Sequence, residues 1–230
     1  MPRVMVVRYA EKGNGTNAPK NHLSPQGEVD ARALGANLPE SMRGAPIAYV
    51  GGSIHIRSVQ TAMLIALGAG ADPVMLPSHS FLGSEKEFFQ LADKKAFNTA
   101  LAENNGSVIK AARLTLGVEN YNFLKNNIFS AISHGCRKLD GNVIIGTHNP
   151  YIQLLYEHIL NEDEEEEEEE KEDLLQLLNE DMPWDDDEDD EVREYNGDAI
   201  ELSYIIVDVT SRGKVTLVET NLPSQDSSTK

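Results

Sequence analysis

The stretch Asn142-Val143-Ile144-Ile145-Gly146-Thr147-His148 is a mostly apolar, β-branched run that ends in two polar side chains. A short run of this kind predicts a strand that is buried on both faces of a parallel sheet. The run Val4-Met5-Val6-Val7 has the same character, and Arg8 and Tyr9 follow it. Both runs therefore predict strands that carry polar residues to one edge of a sheet.

Outward from these two runs, the sequence alternates between strand and helix patterns. Ser24-Pro25 predicts a helix start, because serine caps free backbone N–H groups and proline suits the first turn. Ser211-Arg212-Gly213 predicts a hairpin turn. The alternation predicts an α/β three-layer sandwich with a largely parallel sheet, helices on both faces and a C-terminal hairpin. The predicted strands are 4–7, 47–50, 73–76, 142–147, 199–209 and 214–220, and the predicted helical segments are 25–38, 57–67, 85–134 with one break at 104–106, and 151–160.

Composition excludes several classes of protein. The chain has 230 residues and one cysteine, Cys136, which excludes an internal disulfide and a cysteine-based zinc site. No apolar run reaches the ~18–20 residues that span a bilayer. The start of the chain also lacks the pattern of a signal peptide. We therefore expect an intracellular, cytoplasmic protein with no membrane partner.

The formal charge of −18 comes from one segment of the chain. Residues 161–195 hold 21 of the 38 acids and only 2 of the 20 Lys and Arg residues. Like charges at this density oppose folding, so this segment is predicted to be a disordered acidic insertion. It interrupts one domain formed by 1–160 and 196–222, and a flexible tail follows at 223–230. The remaining 195 residues are nearly neutral, at +1, and no nucleic-acid partner is predicted.

Three polar clusters follow predicted strands. They are Arg8-Tyr9, the segment from Ser53 to Arg57, and Thr147-His148-Asn149. In a parallel α/β sheet, ligands bind beyond the carboxyl ends of the strands, so we expect these clusters to meet. Two guanidinium groups and an imidazole suit a doubly charged tetrahedral anion, because each guanidinium matches two phosphate oxygens. The sequence therefore predicts a phosphoester pocket.

The same clusters resemble the motifs of the histidine phosphatase superfamily, also called phosphoglycerate-mutase-like. The resemblance runs from about Arg3 to Thr220, with the acidic segment as an insertion, and four blocks in the right order make it specific. The blocks are Val7-Arg8-Tyr9-Ala10-Glu11 with Leu23-Ser24-Pro25-Gln26-Gly27, then Ser53-Ile54-His55-Ile56-Arg57-Ser58-Val59-Gln60-Thr61-Ala62, then Leu82-Gly83-Ser84-Glu85, then Val143-Ile144-Ile145-Gly146-Thr147-His148-Asn149.

The resemblance implies a role for each of these residues. Arg8, Arg57 and His148 would bind phosphate, and Glu85 would donate a proton to the leaving oxygen. No metal or cofactor is implied. Glu85 is also compatible with a solvated charge at a helix start. The family's nucleophile is the histidine after the first arginine, and Tyr9 stands there in this chain; Tyr9 is also compatible with a core or rim aromatic residue.

Three functions stay open at this point. The first, which the sequence favours, is a pseudoenzyme that keeps the phosphate pocket and binds a phosphorylated small molecule or a phosphoprotein. The second is an active phosphomonoesterase whose nucleophile is His148, His55 or Tyr9. The third is a scaffold that displays the acidic segment 161–195 to a basic protein partner, with its leucines and Trp184 as contacts. That segment is equally compatible with a solvated insertion that has no partner.

Overall fold

The computed structural model of the chain describes residues 1–15, 21–83, 85–161 and 201–222. The acidic segment beyond residue 161 and the tail 223–230 lie outside this part. The strands are β1 (Arg3–Arg8), β2 (Ile47–Gly52), β3 (Val74–Met75), β4 (Asn142–Thr147), β5 (Tyr204–Val209) and β6 (Val215–Thr220). The helices are α1 (Pro25–Ala36), α2 (Ile56–Gly68), α3 (Glu85–Leu91), α4 (Lys94–Glu103), α5 (Val108–Cys136) and α6 (residues 151–161), with single 3-10 turns at Glu40–Met42 and Ser80–Leu82.

The six strands form one sheet in the order β3-β2-β4-β1-β5-β6. The pairs β2–β3, β2–β4 and β1–β4 are parallel, whereas β5 runs antiparallel to β1 and β6 antiparallel to β5. The predicted, largely parallel sheet with a C-terminal hairpin is therefore confirmed. The first hairpin strand begins at Tyr204, later than the predicted residue 199.

Alternate residues of the central strands face two separate apolar cores. In β1, Val4 and Val6 contribute to a core with residues of α3, α4, α5 and α6. Met5 and Val7 point the other way, into a core with α1 and α2. All four side chains are fully buried, which explains why the strand sequence is apolar without alternation. The predicted helices on both faces of the sheet are confirmed.

Helices α1 and α2 touch through their backbones. A Cβ atom on Gly35 would lie 2.0 Å from the carbonyl oxygen of Ile65, and one on Gly68 would lie 2.2 Å from that of Arg32. No side chain fits at either position. The start of α1 is as predicted, since Pro25 opens the helix and the Ser24 hydroxyl accepts a hydrogen bond from the Gly27 N–H at 3.0 Å.

The long helical region has more breaks than the single one predicted at 104–106. Asp93 starts α4 as a new helix by accepting a hydrogen bond from the Ala96 N–H at 2.7 Å. Gly117 interrupts α5 with a φ of 69°, a left-handed conformation that glycine adopts at little cost. The apolar spacing continues across both breaks and therefore gives no sign of them.

A buried polar network joins α5 to α6. Arg113 forms an ion pair with Glu157, and the Tyr121 hydroxyl donates to the other oxygen of that carboxylate at 2.8 Å. The Arg113 Nε–H also donates to the Tyr121 hydroxyl at 3.2 Å. Burial raises the pKa of Glu157 and of Tyr121. The network is closed, because each of these three side chains is bonded to the other two.

No helix in the described part of the chain is both long and apolar enough to span a membrane.

Candidate functional site

A cavity of about 260 Å³ opens at the carboxyl edge of the sheet. It gathers most of the side chains that the sequence analysis singled out, although they are far apart in the chain. Among the lining residues that the structure describes, none is Asp or Glu. The lining residues with polar side-chain atoms are Arg8, Tyr9, His55, Arg57, His148, Asn149 and Tyr151, and the apolar ones are Gly83, Phe88, Phe89, Phe97, Val108 and Pro150.

Strand register places the polar side chains next to each other. Arg8 is paired with Thr147 across the parallel β1–β4 ladder, and the Tyr9 N–H donates to the Thr147 carbonyl at 3.2 Å. The first turn of α2 packs directly on β4, since a Cβ atom on Gly146 would lie 2.0 Å from the Ser58 carbonyl oxygen. This close contact brings Arg57 beside the end of β4.

His148 is held by both of its ring nitrogens. Nε2 lies 2.8 Å from the Ser53 hydroxyl oxygen and 2.6 Å from that of Ser58. Nδ1 lies 3.4 Å from Nη2 of Arg57, a long contact. A guanidinium only donates hydrogen bonds, so Nδ1 accepts and the proton of the neutral ring is assigned to Nε2. His148 therefore presents a lone pair toward Arg57 and an N–H group to the serines.

The surroundings of His148 keep its imidazole uncharged. The side chain is 6% exposed. Burial is the main cause that lowers its pKa to about 2, and the neighbouring Arg57, His55 and Arg8 lower it further. A ring with so low a pKa is neutral at physiological pH, in agreement with the lone pair assigned to Nδ1.

Tyr9 lies among the cationic groups of the cavity. The centre of its ring is 4.6 Å from Cζ of Arg57 and 5.4 Å from Cζ of Arg8, within the range of cation–π contacts. The ring of His148 lies 4.8 Å away at 56°. Nε of Arg57 is buried and has no hydrogen-bond partner among the described residues. The site thus holds positive charge in contact with an aromatic face.

Gly83 fixes the position of His148 from the opposite side. Its φ is +129°, and a Cβ atom there would lie 2.4 Å from Cδ2 of the imidazole. The Thr147 hydroxyl anchors the same loop by donating to the Leu82 carbonyl at 2.7 Å. Only a residue without a side chain fits this contact. Gly83 and Ser58 stand inside two of the quoted motif blocks, but nothing in the sequence marked them as neighbours of His148.

Glu85 begins α3, two residues after Gly83. Its side chain lies outside the described part of the structure, so its predicted role as a proton donor stays a prediction. Among the residues that the structure describes, no group of three or more His, Cys, Asp or Glu side chains is placed to hold a metal ion.

The low pKa of His148 predicts a pH-dependent stability. As the pH falls below about 6.5, the unfolded chain takes up a proton at this residue that the folded chain does not bind. The free energy of unfolding is then expected to fall by about 1.4 kcal/mol per pH unit, or about 2 kcal/mol between pH 6.5 and pH 5. His148→Gln should lose this component. Urea unfolding of parent and variant at pH 7 and pH 5 measures it.

His158 serves as the internal reference for this measurement. Burial lowers its pKa to about 4, so it contributes a similar loss over the same pH range in both proteins. The variant should therefore keep part of the pH dependence. An equal pH dependence in the parent and in His148→Gln would contradict the neutral, buried state of His148.

Comparison with known proteins identifies the fold. No protein-family model and no curated protein sequence matches the chain. Solved structures of histidine phosphatases and phosphoglycerate mutases do match it, and four of them are 12–16% identical to it in sequence. At these identities the likeness shows the fold, and the phosphoglycerate-mutase-like fold that the motifs implied is confirmed.

Three of these structures illustrate the extent of the match. YhfR of Bacillus stearothermophilus is 16% identical with a TM-score of 0.53, and the match covers 97% of this chain and 98% of that one. The ecdysone phosphate phosphatase of Bombix mori, solved with tungstate, is 15% identical with a TM-score of 0.51, over 100% and 96%. A phosphoglycerate mutase of Bacillus anthracis str. Sterne is 14% identical with a TM-score of 0.50, over 95% and 92%.

Proposed function

We propose that this protein, built on the fold of the histidine phosphatases, binds the phosphate group of a phosphomonoester and does not transfer it through a phosphohistidine. Arg8, Arg57 and His148 form the anion site. The observation that carries the proposal is the position of Tyr9, which follows the first strand where the family motif has its nucleophilic histidine. Its ring lies against the guanidinium groups of both arginines.

The chemistry of tyrosine supports the loss of catalysis. A neutral imidazole offers a lone pair near neutral pH, whereas a phenol keeps its proton there and needs an adjacent base. None of the hydrogen bonds within the described residues joins the Tyr9 hydroxyl to a base. The neighbouring guanidinium groups cannot accept a proton.

His148 is a poor replacement for the missing nucleophile. Its two ring nitrogens face hydroxyl groups and a guanidinium. A pKa lowered to about 2 by burial also means that the ring nitrogen is a weak base. These features suit a neutral residue that supports the anion site by accepting a hydrogen bond from Arg57, and they do not favour attack on phosphorus.

His55 supports a second candidate function, an active phosphomonoesterase. It lines the same cavity, two residues before Arg57, and its ring lies 4.9 Å from that of His148. In this mechanism a His55 nitrogen bonds to phosphorus, the ester P–O bond breaks, and the leaving oxygen takes up a proton. Water then hydrolyses the phosphohistidine. Turnover by the parent that disappears in His55→Asn would select this candidate.

Calorimetric titration with inorganic phosphate tests the anion site. Arg57→Ala is expected to weaken phosphate binding about 10- to 150-fold, which corresponds to about 1.5–3 kcal/mol for hydrogen bonds to a charged group. Arg212→Ala is the matched control, because Arg212 is exposed in the β5–β6 turn at the other end of the sheet. Absence of phosphate binding by the parent, or equal binding by Arg57→Ala, would overturn the proposal.

A further inference from the structure

We propose that the phosphate group bound in this pocket belongs to a small aryl phosphomonoester, whose ring lies against Phe88, Phe89 and Phe97. This inference rests on the proposed function, since the same cavity supplies the anion site. It adds a class of ligand that the cationic residues alone do not specify.

The three phenylalanines form one cluster beside the cationic groups. The ring of Phe88 lies 5.2 Å from those of Phe89 and Phe97, and the latter two lie 5.5 Å apart. All three pairs are edge-to-face, at 76–89°. Phe88 and Phe97 are 4% and 8% exposed, whereas Phe89 is only half-buried. Phe89 is therefore the most exposed ring of the cluster, and it lines the cavity.

The lining of the cavity favours an apolar ligand body over a polyhydroxylated one. Apart from the two arginines, the two histidines and Tyr9, the only described lining side chains with a polar atom are Asn149 and Tyr151. Hydroxyl groups of a sugar or glycerol phosphate that face the phenylalanines and Val108 would lose their water, and these four side chains offer them no hydrogen-bond partner. Such a loss costs about 1–3 kcal/mol for each unpaired group.

The size and geometry of the cavity point to a single ring. A volume of about 260 Å³ lies just below the range of about 300–1,000 Å³ typical of small-molecule sites. It leaves room for a phosphate and one six-membered ring. Aromatic pairs favour edge-to-face or offset contacts with centres about 4.5–7 Å apart, the arrangement that the three phenylalanines already adopt. A ligand ring extends the same pattern.

Titration calorimetry with a matched set of phosphates tests the inference. The set consists of inorganic phosphate, glycerol 2-phosphate, cyclohexyl phosphate and phenyl phosphate. We expect phenyl phosphate to bind about 10-fold more tightly than glycerol 2-phosphate, because its ring buries apolar surface. We expect it to bind about threefold more tightly than cyclohexyl phosphate, because only an aromatic ring makes edge-to-face contacts with the phenylalanines.

Substitutions of Phe89 locate the preference. Phe89→Ala is expected to reduce the preference for phenyl over glycerol phosphate to less than about threefold. Phe89→Leu keeps an apolar side chain of similar size, and it replaces the alanine variant in the test if that variant does not fold. It should lose the preference for phenyl over cyclohexyl phosphate. Phe123→Ala is the control, because Phe123 is 49% exposed on α5 and does not line the cavity.

Each outcome distinguishes this inference from the proposed function. If inorganic phosphate does not bind, the proposed function fails. If it binds and phenyl phosphate binds no more tightly than glycerol 2-phosphate, only the aryl inference is overturned. Equal binding of cyclohexyl and phenyl phosphates, or a preference that survives in both Phe89 variants, overturns the role of the phenylalanine cluster.

Discussion

Tyr9→His is expected to raise the rate of aryl phosphate hydrolysis at least about 10³-fold above the parent. Removing a nucleophile commonly costs several kcal/mol of activation free energy, and each 1.36 kcal/mol is a factor of ten in rate. The variant restores an imidazole between Arg8 and the intact end of β4. Release of phosphate from phenyl phosphate, measured for both proteins at equal concentration, gives the ratio.

Two further variants show whether the gain depends on the pocket. Tyr9→Phe removes the hydroxyl without adding an imidazole, and it should stay as inactive as the parent. Tyr9→His combined with Arg57→Ala should lose most of the gained activity, since the anion is held less well. Measurable turnover by the parent, equal to that of Tyr9→His, would rule out the pseudoenzyme. His55→Asn would then show whether His55 is the nucleophile.

Arg113→Met is expected to lower the free energy of unfolding by about 3–5 kcal/mol. The substitution leaves the carboxylate of Glu157, which is 3% exposed, without its cationic partner. Breaking one side of a buried ion pair costs this much because an uncompensated charge remains in the core. Urea unfolding followed by circular dichroism measures the change.

The double variant Arg113→Met/Glu157→Leu is the matched control for this prediction. It removes both charges and replaces them with apolar groups, so most of the lost stability should return. A single variant that is within 1 kcal/mol of the parent would show that the network between α5 and α6 contributes little. Loss of stability in the double variant as great as in the single one would assign the effect to packing.

The central strands were predictable because burial on both faces leaves a simple trace in the sequence. Val4 to Val7 and Val143 to Ile145 are apolar at every position, and both segments are strands in the structure. The rule that ligands bind at the carboxyl edge of a parallel sheet then predicts that Arg8, Arg57 and His148 lie near one another, and all three line one cavity. Their roles in binding phosphate stay proposals.

Other features depend on contacts that no local pattern records. The phenylalanine cluster joins α3 to α4, and apolar spacing identifies its members only as core residues. Glu157 reaches a tyrosine 36 positions earlier in the chain. Gly83 packs against the ring of His148, although 65 positions of the sequence separate the two residues. Long-range pairings of this kind follow from the fold and cannot be inferred from spacing.

The cavity is lined from both helical layers, one on each face of the sheet, and we expect substitutions in the two layers to have different effects. Arg57 and Ser58 belong to α2, which packs on β4 so closely that no side chain fits at Gly146. The phenylalanines belong to α3 and α4, on the other side of the sheet. If the proposed anion site is right, we expect substitutions within residues 85–108 to change which phosphate ester binds and to leave Arg8, Arg57 and His148 in place.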